Sequence, residues 1–123
     1  MNQQPLISIV EDDDGVRLAL DGLIRSIGYR VAMFDSAESF LDSPCAAISQ
    51  CVISDIQMPG GVSGIELTSR IVGGAADIPV ILISAFLDDQ IEGSAYAAGA
   101  ELCLKKPFDG EILIACLERA IHR

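Results

Sequence analysis

Tryptophan is absent from this 123-residue chain, histidine occurs once, and Lys and Arg together number 8 against 18 Asp and Glu. A formal net charge of -10 leaves no basic surface for gripping a nucleic-acid backbone or an anionic membrane, so any nucleic-acid role is expected to be indirect. The four cysteines, Cys45, Cys51, Cys103 and Cys116, form no CxxC pair, and His122 stands alone beside the C-terminus. Zinc centres and thioredoxin-like redox centres therefore lack their ligands. Cys51, Cys103 and Cys116 lie in apolar segments and read as reduced, buried thiols. The opening Met1-Asn2-Gln3-Gln4-Pro5 lacks the basic-then-apolar order of a leader, and no apolar run is long enough to cross a bilayer. The expectation is a cytoplasmic protein with no membrane partner. With 50% hydrophobic residues at this length, one compact domain over residues 1–123 is expected, without room for a second.

Short apolar runs alternate with amphipathic patterns from end to end. Leu6 to Val10, Arg30 to Phe34, Cys51 to Ser54, Pro79 to Ile83 and Glu101 to Leu104 read as strands. Between the first two, Val16, Leu20, Leu23, Ile24 and Ile27 recur at helical spacing, with Gly28 as a left-handed stop. Ser36 opens a short second helix that ends before Pro44, Ser63-Gly64 precedes a third, and Gly73-Gly74 stops it. Asp88 or Asp89 caps the fourth helix, which runs to Gly99. Asp109 caps the fifth, with Ile112, Ala115, Cys116 and Leu117 expected to face inward. Five βα units in succession predict an α/β three-layer sandwich around a five-stranded parallel sheet with right-handed crossovers.

Four fragments each follow one of these strands: Glu11-Asp12-Asp13-Asp14, Asp55 before Met58-Pro59, Ser84-Ala85, and Lys106-Pro107. In a parallel sheet they converge at the carboxyl ends of the strands. Carboxylates gathered there repel one another unless a cation intervenes, and carboxylates, a hydroxyl and a lysine together describe a phosphoryl pocket that uses a divalent metal. Asp12 and Asp55 are natural direct ligands of magnesium, and Glu11, longer by a methylene, reaches it through a water; Asp13 and Asp14 read as a solvated helix start. Asp55 ends an apolar run, an expensive place for a carboxylate that is not capped, metal-bound or chemically employed. As a nucleophile it would attack phosphorus and form an acyl phosphate. Lys106 could reach a phosphoryl oxygen or Asp55 itself, and Lys106-Pro107 is a candidate cis peptide. Ser84 can donate to a phosphoryl oxygen, and Ala85 leaves room for the incoming group.

In order and spacing, Val10-Glu11-Asp12, Ser54-Asp55-Ile56-Gln57-Met58-Pro59, Ser84-Ala85, Ala98-Gly99-Ala100 and Lys106-Pro107-Phe108 resemble the response-regulator receiver domain, the CheY-like module of two-component signalling. The resemblance runs from Leu6 to about Ile121 and is closest to FixJ-type receivers, which usually precede a DNA-binding domain. It implies the flavodoxin-like strand order 2-1-3-4-5. It implies that Asp55 takes a phosphoryl group from the phosphohistidine of a sensor histidine kinase. Glu11, Asp12, Asp55 and the Gln57 carbonyl would hold Mg2+ or Mn2+, Lys106 would contact the phosphoryl group, and Ser84 would be the switch hydroxyl. It also implies that the face made by the fourth helix, fifth strand and fifth helix carries the output, to a homodimer partner or a downstream effector domain or protein. Such a domain is a phospho-acceptor and catalyses only its own phosphoryl transfer and dephosphorylation.

Three positions depart from the family pattern. The loop Gly60-Gly61-Val62 is one residue longer than usual, Cys103 replaces the usual Tyr or Phe of the aromatic switch, and Phe86 is bulky where the family varies, so that it could shield an acyl phosphate from water. A degenerate receiver serving only as a phosphorylation-independent scaffold would fit Cys103 but not the intact acidic set and Lys106. A haloacid-dehalogenase-like phosphatase needs a second Asp two residues past the nucleophile, where Gln57 stands, and a cap domain. A flavodoxin-like carrier needs a hydroxyl-rich loop after the first strand, where this chain has acids that would repel FMN phosphate.

Overall fold

The structure is a computed structural model and describes residues 4–122. Five parallel strands form one sheet: β1 (Leu6–Val10), β2 (Arg30–Phe34), β3 (Cys51–Asp55), β4 (Val80–Ser84) and β5 (Leu102–Lys105), in the order β2-β1-β3-β4-β5. The helices are α1 (Asp14–Ser26), α2 (Ala37–Leu41), α3 (Cys45–Ile48), α4 (Gly64–Ile71), α5 (Asp89–Ala97) and α6 (Gly110–Ile121). Side chains alternate across the sheet, so β1, β3 and β4 feed two cores at once. Ile7, Ile9, Ile53, Ile81 and Ile83 pack with Leu20 and Ile24 of α1 and Leu113 and Leu117 of α6. Val10, Val52, Val80 and Leu82 pack on the other face with Phe40, Leu67 and Ala95. The three-layer arrangement and the strand order are as expected.

Local chemistry sets most boundaries. Asp13, Ser36, Ser63, Asp88 and Asp109 each accept a backbone N–H at a helix start through their side chains. Gly28 and Gly99, with φ of 93° and 109°, supply the left-handed turns after α1 and α5.

Two expectations need correction, and one helix was not foreseen. The short helix after Ser36 ends before Pro44 as expected, at Leu41, and a further short helix, α3, follows it with Pro44 at its N-cap. The last three strands end one residue later than expected, taking in Asp55, Ser84 and Lys105: the ladder continues past the apolar run, pairing Asp55 with Ile83 and Ser84 with Lys105. In α6 the buried residues are Leu113, Leu117 and Ala120, whereas Ile112 is 51% exposed and Ala115 is exposed too. Residues 112–117 are apolar without a break, so their periodicity could not choose the inward face; the Asp109 cap and the packing on β3 do.

Candidate functional site

The strand ends bring the separated fragments together as expected. Glu11 follows β1 and is fully buried, and Asp55 closes β3 at 6% exposure. Oxygens of Glu11, Asp12 and Asp55 all lie within 4.8 Å of one another. Lys106, just past β5, spans two of them, its Nζ donating to Glu11 Oε1 at 2.8 Å and Asp55 Oδ2 at 3.3 Å. The Lys106-Pro107 peptide bond is cis, and the Lys106 N–H donates to the Ser84 carbonyl at 2.7 Å. Gln57 N–H donates to Asp55 Oδ1 at 3.3 Å, and Ala85 lies exposed at the rim after β4.

Burial and charge act against each other here. Loss of water pushes the Glu11 carboxyl up to about 7, against the pull of Lys106 and of the Asp13 N–H that donates to it at 3.1 Å. For Lys106, burial disfavours the ammonium, but the bond to Glu11 and the charge of Asp55 outweigh it and its pKa rises. One ammonium thus serves two buried acids, while Asp12 stays exposed above them. Three hard carboxylate donors around one point suit a small divalent cation, so the donor set fits magnesium.

Close backbone approaches hold Asp55 in place. A Cβ built on Gly64 would stand 2.2 Å from the Asp55 carbonyl oxygen, so only glycine lets α4 begin there. Across the pocket, Arg17 Nη1 donates to the Glu11 carbonyl at 2.7 Å and fastens α1 to the end of β1.

The contacts made by Glu38, Gln57, Phe86 and Cys103 were not legible in the sequence pattern. Glu38 of α2 accepts the Val62 N–H at 3.1 Å and so ties down the long Gly60-Gly61-Val62 loop. The Gln57 side chain bonds the Ser84 hydroxyl and donates from Nε2 to the Phe86 carbonyl at 3.1 Å. Phe86, 62% exposed, points its ring outward, and its backbone rather than its ring meets Ser84, with Phe86 N–H donating to Ser84 Oγ at 3.1 Å. At the atypical position, Cys103 is buried with its thiol pushed up to about 11, first by burial and then by the charge of Glu92. Its backbone N–H, on the free edge of β5, donates to the Tyr96 hydroxyl of α5 at 3.0 Å.

Beside the site, an apolar cavity of about 590 Å³ opens between α1 and the start of α6, lined by Val16, Leu20, Leu23, Lys106, Pro107 and Phe108. No helix among the described residues is long and apolar enough to cross a membrane.

Comparison with known proteins agrees with this geometry. The family model for the response regulator receiver domain matches residues 7–118. The transcriptional regulatory protein FixJ of Bradyrhizobium diazoefficiens is 35% identical over 117 residues, covering 95% of this chain and 57% of that protein. The response regulator protein TmoT of Ectopseudomonas mendocina is 37% identical over 120 residues, covering 98% of this chain and 54% of that one. The crystal structure of FixJ-N superposes with a TM-score of 0.84 at 33% identity, covering 99% of this chain and 97% of that one. The chain spans about half the length of the curated relatives it matches.

Proposed function

The chain belongs to the response regulator receiver domain family, of the FixJ type, and from that membership we propose that Asp55 is its phosphoryl acceptor. Phosphoryl acceptance is the family's standard function, and the observation that carries the assignment is the lysine bridge. Lys106 Nζ, 95 residues along the chain from Glu11 and 51 from Asp55, contacts both carboxylates at the strand ends. An Asp55 oxygen attacks the phosphorus of a phosphohistidine or a small acyl phosphate. The bond to phosphorus forms as the bond to the leaving group breaks, and the leaving group departs with the electron pair. Lys106 offsets charge on the phosphoryl oxygens, and Ser84 donates its hydroxyl to one of them. Glu11, Asp12 and Asp55, with the Gln57 carbonyl, would hold Mg2+ or Mn2+, which when bound supplies positive charge to the transferring group.

The same reading makes the domain an acceptor rather than an enzyme with turnover on other substrates, acting in the cytoplasm as a single receiver over residues 1–123. Its phosphoryl donor is a sensor histidine kinase. Its output runs through the face of α5, β5 and α6 to a homodimer partner, an effector domain or a separate protein, and the net charge of -10 supports an indirect relation to DNA. A haloacid-dehalogenase-like phosphatase finds no support, since an acid is required where the Gln57 amide is engaged with Ser84 and Phe86.

Incubation with acetyl phosphate, with and without magnesium, followed by intact-mass measurement tests the reading. One added phosphoryl group that depends on magnesium is expected; no uptake in either condition would return the chain to the class of phosphorylation-independent scaffolds.

A further inference from the structure

The hydroxyl that must meet an incoming phosphoryl group is already engaged. Among the described residues, the hydrogen-bond partners of Ser84 Oγ are Gln57 Oε1, the Phe86 carbonyl and the Phe86 N–H, and Asp55 is not one of them. A serine hydroxyl has one proton to give. To donate it to a phosphoryl oxygen on Asp55, Ser84 must withdraw it from Gln57 and Phe86. The Gln57 amide fits only one way round here. Its Oε1 faces the hydroxyl and its Nε2 donates to the Phe86 carbonyl at 3.1 Å, whereas the flipped amide would set two oxygens against each other. A single exposed side chain, two residues past Asp55, therefore closes a bridge from the β3–α4 loop to the loop that leads into α5.

We propose that the Gln57 side chain is a positioning residue that latches the Ser84 hydroxyl and the Phe86 backbone in the resting arrangement, and so sets how readily the site takes up a phosphoryl group. The latch rests on the reading of Asp55 as the phosphoryl acceptor. Its energetic logic is a population shift: bonds present only in the resting state lower the fraction of molecules ready for the anion, and apparent affinity falls with that fraction. Movement of Phe86 on release would carry directly to α5, which starts three residues later, packs Ala95 and Ile91 on the core and reaches β5 through the Tyr96 hydroxyl.

The test uses beryllofluoride with magnesium as the phosphoryl mimic, titrated calorimetrically into the wild type, Gln57→Met, Gln57→Ala, Ser84→Ala and the Gln57→Met/Ser84→Ala double variant. Gln57 is exposed, and both replacements keep its backbone carbonyl, so the fold and the metal donors are retained. Loss of the latch is expected to tighten beryllofluoride binding about two- to fivefold, the net worth of an exposed neutral hydrogen bond. The gain is expected to shrink in the Ser84→Ala background, because the latch acts through that hydroxyl. Unchanged or weaker binding by Gln57→Met and Gln57→Ala overturns the latch, as does an undiminished gain without the Ser84 hydroxyl. Failure of the wild type itself to bind beryllofluoride overturns the acceptor reading beneath it, an outcome distinct from the other two.

Discussion

Replacing Lys106 by methionine keeps the length of the side chain and removes the one ammonium shared by Glu11 and Asp55. Glu11 is fully buried and Asp55 is 6% exposed, so the variant leaves two carboxylates without their cation. Breaking a buried pair typically costs 3–5 kcal/mol; with Lys106 itself 18% exposed, about 3 kcal/mol is expected above pH 7.5 in metal-free buffer. For a domain of this size that is a fall in Tm of roughly 10 °C. The pH dependence gives the prediction its shape. The Glu11 carboxyl stands at about 7 in the fold against an ordinary 4.5, so the folded state holds this proton more tightly than the unfolded chain does. Stability therefore falls as pH rises through that window, by about 3 kcal/mol in total, and levels off above it. Without the ammonium the Glu11 pKa climbs further, and the fall continues to higher pH. Near pH 5 Glu11 is protonated in both proteins, and the difference between them is expected to shrink to about 1 kcal/mol, what a lysine facing one acid contributes. Thermal unfolding followed by circular dichroism at pH 5 and pH 8, with chelator present, reads this directly. A penalty that is the same at both pH values, or below about 1 kcal/mol at pH 8, would refute the reasoning that this lysine neutralises a buried acidic pair.

Three further outcomes follow from the same geometry. In magnesium titrations, Asp12→Asn is expected to weaken binding more than Glu11→Gln, since the Glu11 oxygens are engaged by Lys106 Nζ and the Asp13 N–H while Asp12 is open; the reverse ranking would reassign the direct ligand. Gly64→Ala is expected to destabilise the fold by about 2–3 kcal/mol in chemical denaturation, because the new methyl meets the Asp55 backbone; a neutral result would mean α4 can start elsewhere. In NMR spectra with beryllofluoride, Ser84→Ala is expected to reduce the shift changes in α5 and β5 while Cys103→Ala leaves them largely intact, at a packing cost on the order of 1 kcal/mol or more; loss of those changes in Cys103→Ala with the pocket still binding would make the thiol the relay.

What could be read from the sequence were the places where composition changes abruptly. Glu11, Asp55, Ser84 and Lys106 are polar groups at the ends of apolar runs, and a parallel sheet gathers strand ends wherever the helices lie. The side-chain caps were legible for the same reason, since Ser36, Ser63 and Asp109 stand immediately before helical patterns. Contacts between a side chain and a distant backbone group leave no such signal. Glu38 reads as an ordinary helix residue until the fold sets it under Val62, and Tyr96 reads as a surface residue until its hydroxyl meets the Cys103 N–H. The inward face of α6 was misread because Ile112 to Leu117 is apolar on every side, and hydrophobic periodicity carries no phase where there is no polar contrast. The ring missing at position 103 was visible, but the hydroxyl that meets that residue from α5 was not.

The central claim is that Asp55 alone takes the phosphoryl group. An aspartyl phosphate is reduced by borohydride to homoserine, which marks the acylated carboxyl permanently in the chain. The protein, treated with acetyl phosphate and magnesium and then with borohydride, is digested and sequenced by tandem mass spectrometry. Homoserine at position 55 only, and none anywhere in Asp55→Asn treated alongside, is the result this account predicts; homoserine at Asp12, Asp13 or Asp14, or equal labelling of the two proteins, would contradict it.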